Sequence, residues 1–153
     1  MRSSVWIGAA LALPLFGCII VADYVEPPGG DLAEIEFVND TTAASAIQIY
    51  QDAARCRHRG NVNPMLDPGA RHAVRVAANR DVAFSMNWGV GRTACMSTRS
   101  FHAEAGKKYV MRFELVPGGC TVAGSQSGRP VALDKRVFAP EFDENGNFCT
   151  ARE

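Results

Sequence analysis

The sequence lacks the cysteine and serine spacings that mark common catalytic and metal centres. Its five cysteines include no Cys-Xaa-Xaa-Cys pair, which argues against a zinc ribbon and a thioredoxin-type redox site. It has no Gly-Xaa-Ser-Xaa-Gly elbow between a strand and a helix, and no nucleophile, base and orienting group at a recognisable spacing. We therefore expect a protein that is not an enzyme and needs no cofactor and no metal.

Long apolar runs are also missing, except at the amino terminus. There Arg2 precedes residues 3–22, which carry no charge, and the apolar stretch "VWIGAALALPLF" is 12 residues long. A membrane-spanning helix needs about 20 apolar residues, and Pro14 interrupts this stretch near its end. A short positive start followed by a short apolar run is typical of an export signal.

The end of this run resembles the lipobox of bacterial lipoprotein precursors, in Leu15, Phe16, Gly17 and Cys18, although Phe16 replaces a smaller residue usual there. The resemblance implies a signal peptide over residues 1–17, cleavage before Cys18 and a diacylglycerol thioether on that cysteine. It also implies the outer membrane, because Cys18 is not followed by Asp. Two alternatives remain open: an uncleaved signal anchor, and a soluble secreted form cut after Ala22.

The cysteine count agrees with export. Without Cys18 an even number remains, namely Cys56, Cys95, Cys120 and Cys149, and four cysteines in a small exported domain predict two disulfides. Three pairings are possible and the sequence does not choose among them. The pairing expected here joins neighbours along the chain, Cys56 with Cys95 and Cys120 with Cys149.

The remaining chain divides into a tether and one domain. Residues 18–30 end in two prolines and two glycines and show no periodic pattern, so we predict a flexible tether. The alternative is a first strand over residues 19–25. Residues 31–153 are enough for a single domain with one core.

Apolar residues in this domain recur at every second position, which predicts strands and not helices. The clearest run is "DVAFSMNW", and "KYVMRFELV" repeats it with Leu115 facing inward. We predict an antiparallel β-sandwich of about seven to eight strands, with a further hairpin at Asn145-Gly146. Phe101, Gly106 and Tyr109 resemble the tyrosine corner of immunoglobulin-like sandwiches, and the whole domain resembles in plan small β-sandwich lipoproteins of the bacterial periplasm. That second resemblance specifies no site.

The charges are unevenly distributed although the net charge is zero. Residues 19–54 carry acids and no base, whereas residues 55–112 are strongly basic. The chain as a whole has no excess of positive charge, so we predict no nucleic-acid partner. The densest basic cluster holds Arg55, Arg57 and Arg59, and guanidinium groups bind phosphate or carboxylate. The alternative is a solvated loop pinned by Cys56.

Other candidate residues are few. Trp88 precedes two glycines and could stack on a sugar or a partner side chain, or could pack in the core. The combined prediction is a non-catalytic binding or structural module, held on the membrane by a lipid. Its partner would be an envelope protein or an anionic envelope component, reached through residues 55–68 and 88–95. The alternatives are a periplasmic inhibitor or immunity protein, and a small metal-dependent hydrolase using His102 and Glu104.

Overall fold

The computed structural model describes residues 21–137 and Cys149. These residues form ten strands in two five-stranded sheets, ordered β4-β1-β7-β8-β9 and β10-β6-β5-β2-β3. Neighbouring strands are antiparallel except β1 and β7, which are parallel. The predicted β-sandwich is confirmed, and two strands of three residues each raise the strand count above the expected seven to eight. The strands are β1 (Leu32–Asn39), β2 (Ser45–Asp52), β3 (Arg57–Leu66), β4 (Arg71–Ala77), β5 (Arg80–Val90), β6 (Thr93–Ala103), β7 (Lys108–Val116), β8 (Gly119–Gln126), β9 (Arg129–Val131) and β10 (Asp134–Arg136).

The core lies between the sheets and follows the predicted alternation. Val82, Phe84 and Met86 of β5 are all buried. Phe84 meets Phe37 of β1 edge to face, with ring centroids 5.3 Å apart, so an aromatic contact joins the two sheets. The prediction that Leu115 faces inward is wrong. Its side chain is 40% exposed, because Leu115 lies near the end of β7, beside the turn into β8.

The turn between β6 and β7 has the predicted tyrosine arrangement. The Tyr109 hydroxyl accepts a hydrogen bond from the backbone N–H of Glu104 at 3.0 Å. Gly106 lies between them at φ 71°, a conformation that glycine adopts without strain. The Tyr109 ring packs against Phe101 at a centroid distance of 4.7 Å. The hydroxyl therefore ties this corner to nearby backbone, as in immunoglobulin-like sandwiches.

Both disulfides form, but the expected pairing is wrong: Cys56 bonds Cys149, and Cys95 bonds Cys120. Cys56 precedes β3 at the end of β2, whereas Cys95 lies level with Trp88 at the start of β2. The eight residues of β2 span about 23 Å, and a disulfide needs Cα atoms less than about 7 Å apart. Distance along the sheet therefore excludes the expected bond.

Residues 21–26 follow the side of the sandwich, and we name them the N-terminal strap. The backbone N–H of Tyr24 donates to Asn61 O of β3, and the N–H of Asn61 donates to Ala22 O, each at 2.8 Å. The Tyr24 hydroxyl donates to Arg75 O of β4 at 3.2 Å. The strap therefore binds the edge strands of both sheets.

Residues 18–30 were predicted to form a flexible tether, but residues 21–26 are bound to the domain as the strap. An edge strand presents unpaired backbone groups, and a segment of chain laid along it satisfies them. Tyr24 is also packed against the core. These bonds hold residues 21–26 on the domain, near the position of the alternative first strand over residues 19–25.

Several predicted features lie outside the described residues. These are the signal peptide, the lipidation site Cys18 and the hairpin at Asn145-Gly146. In the part of the chain that is described, no helix is long and apolar enough to cross a bilayer.

Candidate functional site

The predicted basic cluster lies at one end of the second sheet, and we name residues 55–60 the basic segment. It begins in the turn between β2 and β3. Asp52 Oδ1 accepts the backbone N–H groups of Ala54 and Arg55, at 3.1 and 3.3 Å, which is the geometry of an Asx turn. The carboxylate is thus used to shape the turn from which the basic segment starts.

The backbone of the basic segment is unusual. Cys56 and His58 have positive φ angles of 50° and 54°. This left-handed conformation costs an L residue about 1 kcal/mol or more, so the surrounding structure must hold it in place. Cys56 is fully buried and bonded to Cys149, which fixes the segment at its second residue.

The three predicted arginines differ in exposure. Arg55 is exposed, as is His58, whereas Arg57 and Arg59 are half-buried on β3. Arg57 and Arg59 lie opposite Asp52 and Tyr50 on β2, and both are engaged in contacts. Arg55 is therefore the arginine of the cluster that is most accessible to a ligand.

A buried polar chain lies beside the basic segment, on the outer face of the second sheet. The hydroxyls of Tyr50 and Ser85 are 2.8 Å apart, and those of Ser85 and Thr98 are 2.7 Å apart. Burial raises the pKa of Tyr50, although the Ser85 hydrogen bond and the charge of Arg59 lower it. Tyr50 is therefore neutral over the ordinary pH range and serves as a fixed hydrogen-bonding group.

Arg136 of β10 supports the same turn, a role that was not predicted from the sequence. This buried side chain donates to the carbonyls of Ala53 at 3.1 Å and Ala54 at 2.7 Å, and to Ser100 Oγ at 3.2 Å. One guanidinium thus ties the short strand β10 to the residues that precede the basic segment. An isolated arginine in "DKRV" gives no sequence signal for this role.

Trp88 is half-buried and packs against the core, which is the alternative considered for it. Its indole Nε1 is buried and has no hydrogen-bond partner within the described residues.

The surface near Trp88 is formed by two turns, one between β5 and β6 and one between β7 and β8. The Cys95–Cys120 disulfide joins the two hairpins across the two sheets. We name these turns the distal tips. They include the strand ends beside the turns, where Val90, Leu115 and Val116 are exposed apolar side chains.

The two residues of the hydrolase alternative, His102 and Glu104, each make a contact of their own. His102 Nδ1 lies 3.1 Å from Asp81 Oδ1, an exposed contact between paired residues of β5 and β6. The backbone of Glu104 is bound to Tyr109. Within residues 21–137 and Cys149, no three His, Cys, Asp or Glu side chains are grouped as metal ligands.

A cavity of about 120 Å³ lies between the strap and the sheets. Its lining includes Tyr24, Pro27, Val76, Arg80 and Val82. This volume is well below the several hundred Å³ typical of small-molecule sites. It therefore suits a few water molecules better than an organic ligand.

Comparison with known proteins assigns the chain to no group. No protein-family model matches it, and no curated protein matches it significantly. Its function must therefore be inferred from its own residues.

Proposed function

We propose that this protein is a lipid-anchored envelope lipoprotein whose β-sandwich is a non-catalytic binding or structural module. The anchor is a diacylglycerol thioether on Cys18, and the domain faces the periplasm from the outer membrane. The leader, with its 12-residue apolar run and the lipobox-like residues 15–18, supports this anchor.

The observation that carries the proposal is the pairing of the cysteines. Cys56 with Cys149, and Cys95 with Cys120, account for four of the five cysteines in the sequence. The fifth, Cys18, sits at the end of the export signal, where lipidation requires a cysteine. Two disulfides in a small domain also favour an oxidising compartment outside the cytoplasm.

The described domain supports a binding role more than a catalytic one. Two disulfides and the buried Arg136 restrain the loops at both ends of the sandwich. Rigid scaffolds of this kind commonly present loops to partners. The distal tips expose Val90 and Val116, at 53% and 40%, which favours contact with another envelope protein.

Metabolic labelling with palmitate tests the anchor. We expect the wild-type protein to be labelled and Cys18→Ser to be unlabelled. The matched control removes both thiols of one disulfide, Cys56→Ser with Cys149→Ser, and should keep the label. Equal labelling of wild type and Cys18→Ser would exclude the proposed site.

Site-specific photo-crosslinking tests the binding module. A photoreactive residue in place of Val90 or Val116 should capture the same envelope protein at a fixed ratio. The control position is Arg71, exposed on edge strand β4, which should capture none. Absence of a common product from the two tip positions would contradict a partner site at the distal tips.

A further inference from the structure

We propose that the strap and the adjoining edge of β3 are a second membrane contact, which binds anionic phospholipid headgroups of the leaflet holding the Cys18 lipid. This inference rests on the proposed lipid anchor. The contact surface consists of the strap and the basic segment.

The chain between Cys18 and the strap is short. Val21 is held on the domain, because its carbonyl accepts a hydrogen bond from Asn61 Nδ2 at 3.0 Å. Only three Cα–Cα steps separate Val21 from Cys18 in the sequence, a distance of at most about 11 Å. A lipid on Cys18 therefore keeps the strap and β3 near the headgroups, and the domain has little freedom to stand off.

The strap is directed toward the basic segment. It runs parallel to β3, with Asp23 level with Asn61. Ala22 and Val21 therefore lie beside earlier residues of β3, closer to Arg59 and the basic segment. The basic segment is thus on the side of the domain from which the lipid anchor emerges, whereas the distal tips lie at the other end of the strands.

The chemistry of this edge suits an anionic bilayer surface. Val25 of the strap is 76% exposed, the highest value among the exposed large apolar residues of the described chain. Arg55 is exposed in the turn before β3, at the end toward which Val21 and Ala22 lie, and its guanidinium can bind a phosphate in bidentate fashion. An exposed apolar side chain and a basic group along one edge can together hold a protein at an anionic bilayer surface.

The acids near this edge do not cancel the basic segment. Glu26 is paired with Arg75 at 2.8 Å. Asp52 lies opposite Arg57 and keeps its charge, so Asp52 and Asp23 together are two acids against the three arginines Arg55, Arg57 and Arg59. Asp23, on the strap, is the exposed acid that remains close to the surface. Because the lipid makes the contact intramolecular, a weak preference is sufficient to orient the domain.

The test uses the acylated protein purified from its host and reconstituted in two kinds of vesicle. One is neutral phosphatidylcholine, and the other contains about 30 mole per cent phosphatidylglycerol. Amide hydrogen exchange is followed over residues 21–26 and 55–65. We expect about fivefold slower exchange on the anionic vesicles, with the difference lost at about 1 M salt.

Matched charge reversals separate this edge from the rest of the domain. Arg55→Glu should abolish the difference between the two vesicles. Arg92→Glu makes the same charge change on an exposed residue of a distal tip, and it should leave the difference intact. Val25→Gln should reduce the slowing, whereas Val90→Gln should not.

The outcomes distinguish this inference from the proposed anchor. Acylated Cys18 with equal exchange on both vesicles would overturn the second contact and leave the lipid anchor standing. Slowing that survives Arg55→Glu, or that Arg92→Glu abolishes equally, would also overturn it. An unmodified Cys18 in the mass spectrum would overturn both.

Discussion

Gly60 offers a sharp perturbation of the strap, because the strap packs directly against β3 at this residue. A Cβ atom at position 60 would lie 2.9 Å from the Tyr24 Cα and 3.1 Å from the Tyr24 Cβ. Both atoms belong to the strap at or next to its backbone, so a side-chain rotation cannot relieve the contact. Gly60→Ala should therefore displace the strap from β3.

The size of the effect follows from the bonds at stake. Three hydrogen bonds join residues 21–24 to Asn61: two backbone bonds at 2.8 Å and the bond from Asn61 Nδ2 to the Val21 carbonyl at 3.0 Å. At about 1 kcal/mol each, their loss costs about 3 kcal/mol. Replacing glycine by alanine restricts the unfolded chain and returns about 0.4–1 kcal/mol. The net expectation is a destabilisation of about 2 kcal/mol.

Denaturant unfolding and amide exchange measure this directly. The control is Gly29→Ala, since a Cβ at position 29 meets no atom within 4 Å and φ there is not positive. The control also replaces a glycine by alanine and so shares the unfolded-state effect. We expect a lower unfolding midpoint for Gly60→Ala alone, with faster exchange at Tyr24 and Asn61 and unchanged exchange in the core of β5.

Equal midpoints for the two variants would refute the reasoning, provided that exchange at Tyr24 and Asn61 were also equal. That result would mean that the strap does not contribute to stability through Asn61. Faster exchange throughout the sandwich would instead show that the strap and the core unfold together.

The remaining predictions concern single bonds. Replacing Cys95 and Cys120 together by Ala should lower the free energy of unfolding by about 3.5 kcal/mol, because the unfolded chain regains the entropy of a loop with a separation of 25 residues. Denaturant unfolding measures this loss, and a loss near zero would contradict the prediction. Tyr109→Phe should cost about 1 kcal/mol in the same assay, because the corner loses its hydroxyl acceptor, and an unchanged midpoint would contradict the bond. The backbone and side chain of Arg75 hold the pKa of Glu26 below its ordinary value of 4.5. The bond between Glu26 and Arg75 therefore stabilises the strap fully above pH 4.5, and this stabilisation is lost as the pH falls through the folded-state pKa. A carboxyl NMR titration should show the lowered pKa, and Glu26→Gln should remove the acid dependence of strap exchange.

The parts of the fold that depend on local alternation were predictable. Val82, Phe84 and Met86 are buried because a strand sends alternate side chains to the same face. The Tyr109 corner was also predictable, since its hydroxyl reaches only five residues back along the chain. Leu115 departs from the predicted alternation because a pattern within one strand does not show where the opposite sheet ends.

The non-local parts were not predictable in the same way. The disulfide partners depend on which ends of β2 meet which hairpins, and neighbours along the chain, Cys56 and Cys95, lie at opposite ends. The strap depends on an open edge at β3 that its own sequence does not reveal. Arg136 could not be predicted because its guanidinium bonds the carbonyls of Ala53 and Ala54, 83 and 82 positions earlier in the chain, although β6 and β5 separate β10 from β2 in the sheet.

The strap would also decide how far the domain can stand from the lipid proposed on Cys18. With the strap bound, three linkages lead from Cys18 to Val21, a reach of about 11 Å. With the strap released, the free chain would extend to Asp31, thirteen linkages away, and the reach would rise to about 45 Å. Local segments at an edge open at lower free energy than the core of a sandwich. A few hydrogen bonds at Asn61 and Arg75 would therefore separate a domain held against the bilayer by the proposed lipid from one on a long tether, while the sandwich itself stays folded.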